Sequence, residues 1–227
     1  MPSESFVLGQ LSGLAVGHST TPRTAIVLHG REMTAADLAP FAEAMAGEAR
    51  WIFPDAPLVA EARGRTWWPI DSEARIRALE AGPLELSAMD PPGRAQARAS
   101  LTSLIAALPA DQPFVLAGFS QGGMLAMDYV LHARETGARL PASLALMSST
   151  RIAIADWQPR AAELADLPVL VTHGHADREL AFRAGELLRD FATTAGAHVT
   201  WIPFEGGHEL PFIVWRALRK LVRELGN

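Results

Sequence analysis

One stretch constrains this chain more than any other: Phe114-Val115-Leu116-Ala117-Gly118-Phe119-Ser120-Gln121-Gly122-Gly123-Met124-Leu125-Ala126-Met127. A short apolar run ends in G-x-S-x-G, and a helix-prone Met/Leu/Ala segment follows at once. This is the sequence form of a strand, a tight turn and a helix, with a serine exposed at the tip of a nucleophile elbow. Such a serine sits in a strained backbone conformation, and the helix must pass close to the strand. Gly118 and Gly122 stand where any Cβ would collide, and Gly123 widens the same gap. At this chain's glycine and serine content, chance would supply roughly 0.07 such pentapeptides, so the strand and helix patterns around the motif carry as much weight as the motif.

The remaining segments repeat that alternation. Residues 5–17 alternate weakly around glycines and predict one or two short edge strands. Thr24-Ala25-Ile26-Val27-Leu28-His29-Gly30 is apolar without interruption until His-Gly, the pattern of a strand buried on both faces. Helix formers follow over 35–46, with Leu38, Phe41, Ala42 and Met45 on one face. Residues 50–57 predict a strand stopped by prolines. Residues 58–94 are the least regular part and read as a cap-like insertion, with a helix over 72–80. Helices are expected over 95–108, 121–134, 179–195 and 210–225, and strands over 142–148, 167–174 and 198–203. Strands alternating with helices predict the α/β class with a mostly parallel sheet. No repeat or linker divides residues 1–227, so one domain is expected.

Composition removes several alternatives. With 227 residues, 49% of them hydrophobic and 20% charged, the chain can bury a sizeable core. Its net charge is −5 and its basic residues are scattered, which favours neither nucleic acid nor an anionic membrane as partner. There is no cysteine, so disulfides, thiolate metal sites and cysteine nucleophiles are excluded together. The N-terminal residues lack a basic stretch followed by an apolar one, and no run of about 18 apolar residues occurs. The expectation is a cytoplasmic protein that does not insert into membranes.

A serine at an elbow needs partners. Its hydroxyl is a weak nucleophile until an imidazole takes the proton, and the imidazole needs a carboxylate to fix its tautomer. In the chain order that accompanies this motif, the acid and then the histidine follow the serine. Asp177 lies past the strand at 167–174, in His173-Gly174-His175-Ala176-Asp177. His208 lies past the last strand, in Glu205-Gly206-Gly207-His208-Glu209. The oxyanion would be met by the backbone N–H of Gln121 and by that of Arg31, in the loop behind His29-Gly30. Asp156 and Asp166 also follow Ser120, but the first sits in a polar loop and the second precedes its strand.

Gly118-Phe119-Ser120-Gln121-Gly122-Gly123, with Leu28-His29-Gly30, Pro54-Asp55-Ala56-Pro57, Trp67-Trp68-Pro69-Ile70-Asp71, His173-Gly174-x-x-Asp177 and Gly206-Gly207-His208-Glu209, resembles the carboxylesterase/acyl-protein thioesterase family of α/β-hydrolases. The resemblance implies the α/β-hydrolase fold and no cofactor. It implies hydrolysis of small-molecule carboxylic esters or thioesters through an acyl-enzyme, with Ser120, Asp177 and His208 as the triad and Arg31 and Gln121 at the oxyanion positions. Two stretches depart from the family pattern. Arg31-Glu32-Met33 stands where a second glycine and often an acid are usual, and Arg178-Glu179-Leu180-Ala181-Phe182 stands where valines and a proline are usual.

Other readings compete. His173-x-His175-x-Asp177 also opens a dinuclear metal motif, but downstream only His198, His208 and Asp190 remain as further histidine and aspartate ligands, so no metal is expected. His29 and His173 read as structural, His175 as a pocket-rim or solvated residue, and His18, His132 and His198 carry no signal. Two adjacent tryptophans cannot both point inward from a strand, so at least one of Trp67 and Trp68 is expected to line the substrate cleft. The same machinery also serves lactone, amide or C–C hydrolysis, and a catalytically silent ligand-binding module is the rival outside the enzymes.

Overall fold

The computed structural model describes residues 3–43 and 49–225. Eight strands form one sheet: β1 (Glu4–Leu8), β2 (Leu11–Val16), β3 (Thr24–Leu28), β4 (Arg50–Pro54), and, after a small two-stranded ribbon of β5 (Leu58–Val59) and β6 (Arg65–Thr66), β7 (Phe114–Phe119), β8 (Ser143–Met147), β9 (Pro168–Gly174) and β10 (His198–Phe204). Their spatial order is β1-β2-β4-β3-β7-β8-β9-β10. From β4 to β10 every pairing is parallel, and the β1–β2 hairpin closes the other edge in antiparallel fashion. The elbow strand β7 thus lies centrally, between β3 and β8.

Helices cover both faces, and the strand sequences show why. In β3, Ile26 and Leu28 join one apolar cluster while Ala25 and Val27 join the other. A strand covered twice needs apolar side chains at every position, which explains the unbroken runs. One face packs under α3 (Arg94–Ala106), α4 (Gln121–Thr136) and α6 (Phe182–Thr194); the other packs under α1 (Ala35–Glu43) and α7 (Phe212–Arg223). A helix, α2 (Ser72–Glu80), lies within the expected insertion, capped by Asp71 Oδ1 accepting from Ala74 N at 2.8 Å, and a short helix α5 (Ile154–Trp157) follows β8.

Two expectations need adjustment. Phe41 is 43% exposed and stacks on Trp215 at 4.7 Å rather than entering the core. The core stripe of α1 is Ala35, Leu38, Ala39 and Ala42, helical neighbours that leave Phe41 at the margin. The expected end of that helix, Met45 included, lies outside the described residues. Helix α6 begins at Phe182 rather than Glu179, because the preceding residues are held elsewhere: the N–H groups of Glu179 and Leu180 bond Asp177 Oδ1 at 2.8 and 2.9 Å, and Ala181 N bonds Leu84 O at 2.9 Å.

A buried polar network joins α3, α4 and α5. Asp128, fully buried, accepts from Arg94, from Arg98 Nη1 at 2.5 Å and from Trp157 Nε1 at 2.8 Å, while Asp156 accepts from Arg94 Nη1 at 2.9 Å and lies 3.1 Å from His132 Nε2. Asp128, His132 and Asp156 are the one convergent set of metal-type ligands among the described residues. Guanidinium groups already occupy both carboxylates, which makes the cluster a structural tie. Asp156 is thereby paired with Arg94, His132 and Arg160.

Candidate active site

The elbow is built as its sequence requires. Ser120 has φ 53° and ψ −118°, and α4 starts at the next residue. A Cβ on Gly118 would lie 2.2 Å from Gly122 O, and one on Gly122 would lie 2.4 Å from Leu28 O. The second approach was not legible in the motif: α4 is squeezed against the end of β3 as well as against its own strand. The turn is further fixed by Ser120 N donating to Met147 O at 2.9 Å and Ser149 Oγ donating to Ser120 O at 3.0 Å.

Asp177 and His208 come from the ends of β9 and β10, and a second close approach brings them together. A Cβ on Gly174 would meet Gly207 O at 2.3 Å, so the two loops touch backbone to backbone, with Ala176 N bonding Gly206 O at 2.8 Å. His208 Nδ1 then donates to Asp177 Oδ2 at 2.7 Å. The His208 ring lies 4.8 Å from that of Phe119, which puts the imidazole beside the elbow.

Asp177 is only 4% exposed. Burial alone would raise its pKa, but hydrogen bonds from His173 and then His208, helped by the N–H of Leu180, outweigh that and hold it at about 2. His173 Nε2 lies 3.2 Å from Asp177 Oδ2 and 3.1 Å from Leu180 O. Two acceptors at one nitrogen place the ring proton there. His175 faces elsewhere, stacked on Phe182 at 4.2 Å and 3.9 Å from Glu205, and the His173-x-His175-x-Asp177 set does not converge.

Opposite the elbow, His29 holds the turn after β3. Its Nε2 accepts from Ala56 N at 3.0 Å, which assigns the proton to Nδ1 and its 2.7 Å bond to Gly30 O; burial lowers its pKa and keeps it neutral. The departure at Arg31-Glu32-Met33 leaves a turn of the kind a glycine would make. Glu32 takes the left-handed conformation itself, at φ 64°. It is held there by its N–H to Arg65 O at 2.8 Å, by Arg63 Nε to its carbonyl at 2.9 Å and by an ion pair with Arg31 at 2.6 Å. Among the described residues, no acceptor is paired with the N–H of Arg31 or of Gln121. Gln121 N–H is in addition one of the donors that a helix start leaves free.

A cavity of about 40 Å³ carries Ser120, Gln121, Arg31 and Trp68 on its wall, together with Leu180, from the stretch that departs from the family pattern after Asp177, and with Arg75 and Met124, which sequence reasoning did not assign to the site. Through the shared walls Trp68, Ile70, Leu86 and Met89 it adjoins an apolar groove of about 380 Å³ beside α2. Trp67 is not on the cavity wall. Both tryptophans are 1% exposed, since β6 ends at Thr66 and strand alternation does not govern them. Trp67 donates from Nε1 to His29 O at 2.9 Å, and its N–H, with Thr66 Oγ1, holds Gln121 Oε1 at 2.9 and 3.0 Å. It braces the two candidate oxyanion loops from behind.

Comparison with known proteins places this architecture. No curated protein sequence matches the chain. Among solved structures, esterase PE8 superposes with a TM-score of 0.73 at 22% identity, over 95% of this chain and 99% of that one. Acyl-protein thioesterase 2 of Zea mays gives 0.73 at 18% over 97% and 96%, and a carboxylesterase from Mesorhizobium loti gives 0.69 at 17% over 99% and 100%. Identities this low speak for the fold, which is that of the α/β-hydrolases. The family model described as phospholipase/carboxylesterase matches residues 90–223, more than half of the chain, so this protein belongs to the phospholipase/carboxylesterase family and is a carboxylic ester hydrolase.

Proposed function

We propose that the protein cleaves carboxylic esters or thioesters by acyl transfer to Ser120, with His208 as general base and then general acid, and Asp177 as the carboxylate that orients it. The observation that carries this reading is the 2.7 Å bond from His208 Nδ1 to Asp177 Oδ2. With Nδ1 committed as donor, Nε2 is the lone-pair nitrogen, free to accept the serine proton. Ser120 Oγ attacks the carbonyl as its proton passes to His208. The tetrahedral oxyanion accepts hydrogen bonds from the N–H groups of Arg31 and Gln121, at the positive end of α4. Collapse expels the leaving group, protonated by His208. Water, activated by the same imidazole, then releases the acid from the acyl-enzyme.

The size of the cavity supports short to medium acyl groups. The cavity is small, about 40 Å³, and Trp68 is one of the bulky side chains it shares with the adjoining groove. Among the described residues no helix is long and apolar enough to cross a membrane, and a cysteine-free chain suits a reducing cytoplasm. The test is a stopped-flow trace with p-nitrophenyl acetate. A burst of p-nitrophenol matching the enzyme concentration is expected, absent in Ser120→Ala. Turnover by Ser120→Ala at the wild-type rate would end the proposal.

A further inference from the structure

We infer that the preferred substrates of this site carry a carboxylate a few bonds from the scissile carbonyl, bound by the guanidinium groups of Arg75 and Arg31. This rests on the reading of Ser120 as nucleophile and adds the substrate class to it. Only two charged side chains stand on the wall of the Ser120 cavity, and both are arginines. They are 16% and 21% exposed, so their charges act through less water than surface charges do.

The neighbouring acids are all engaged. Glu32 takes one nitrogen of Arg31, Glu179 takes one nitrogen of Arg75, and Asp71 caps α2. Asp177 is saturated by His208, His173, Glu179 N and Leu180 N. Each guanidinium has five N–H donors, and among the described residues the other nitrogens of Arg31 and Arg75 have no protein acceptor. Burial, and after it the positive charge of Arg31, lower the pKa of Arg75. The unpaired nitrogens of both guanidiniums leave donors on this wall that a ligand carboxylate would satisfy. Trp68, Ile70, Leu86 and Met89 provide an apolar wall for the intervening methylenes.

Arg75 also has a purely mechanical reading. Its pair with Glu179 ties α2 to the loop that carries Asp177, beside the bond from Leu84 N to Glu179 O at 2.9 Å. Glu179→Gln separates the two roles, because it breaks the tie and frees the guanidinium. The experiment measures kcat/KM for two isosteric pairs: ethyl hydrogen succinate against ethyl isocaproate for an acyl-side charge, and acetoxyacetate against isobutyl acetate for a leaving-group charge. In the wild type the charged member of at least one pair should be preferred, and that pair identifies the side. Arg75→Met should cut the preference by about tenfold or more, the size of one charge-assisted hydrogen bond. Glu179→Gln should maintain or raise it. No preference for either anion, or equal losses in Arg75→Met and Glu179→Gln, would overturn the inference while leaving the hydrolase reading intact. Failure to turn over all four esters, with no labelling of Ser120 by a fluorophosphonate, would overturn both.

Discussion

Replacing Asp177 with asparagine tests the geometry most sharply, because the structure dictates which way the new amide must face. Oδ1 accepts the N–H groups of Glu179 and Leu180 at 2.8 and 2.9 Å, so the amide oxygen belongs there. Flipping it would orphan two buried donors, at about 1–3 kcal/mol each. The NH₂ group must then occupy the Oδ2 position, facing His208 Nδ1 and His173 Nε2. A donor meeting His208 Nδ1 drives the proton to Nε2, where it blocks acceptance of the serine proton. The same NH₂ opposes the N–H of His173, whose other nitrogen is buried without a partner and can take the proton only by giving up the bond to Leu180 O. The wrong tautomer of the base costs about 10⁴ in kcat, or about 5.4 kcal/mol of barrier. The assay is kcat with p-nitrophenyl acetate on protein shown folded by circular dichroism. Asp156→Asn serves as a control that should lose stability through the Arg94 network and not rate. If Asp177→Asn kept more than about a tenth of the wild-type kcat, the orientation argument would be wrong.

Four further outcomes are expected. His208→Ala should be as inactive as Ser120→Ala, because residues acting as a unit are non-additive, whereas replacing His175, which is half-exposed and stacked on Phe182, with alanine should leave most of kcat. Gly122→Ala puts a Cβ 2.4 Å from Leu28 O; overpacking against backbone costs about 1–3 kcal/mol, so thermal unfolding should occur roughly 2–12 °C lower. Because the pKa of Asp177 is depressed from 3.8 to about 2, its ionised form stabilises the fold fully above the unfolded value, and this contribution fades as pH falls through about 2. Denaturant titrations over that window should show a steeper loss in the wild type than in Asp177→Asn. Finally, kcat/KM across p-nitrophenyl esters from acetate to palmitate should peak at short to medium chains. Trp68→Ala, which joins the Ser120 cavity to the adjoining groove, should move the peak to longer chains, and Trp67→Ala should instead lower the rate with all of them.

Much of this was legible because it is local. Strands covered on both faces announce themselves as unbroken apolar runs, and the elbow shows its glycines because a turn that tight leaves no room for Cβ atoms. The loops bearing Asp177 and His208 could be placed by chain order together with the strand that each one follows. What stayed hidden depends on partners distant in sequence. Arg94 and Arg98, and Asp128 and His132, are each spaced four apart on their helices, but nothing in either pair names the other. Leu84 and Leu86 lie far from Trp68 and Ile70 in sequence, and the folded insertion brings all four into one groove. Glu32 at φ 64° is the converse case. Its strain is held by Arg31, Arg63 and Arg65, so a turn usually given to glycine survives without one.

The most direct test of the central claim is to react the protein with a fluorophosphonate and locate the adduct by peptide mass spectrometry. One equivalent on Ser120, lost in Ser120→Ala and strongly slowed in His208→Ala, is predicted. A protein that turns over esters while Ser120 stays unmodified, or that is labelled at another residue with matching loss of activity, would contradict it.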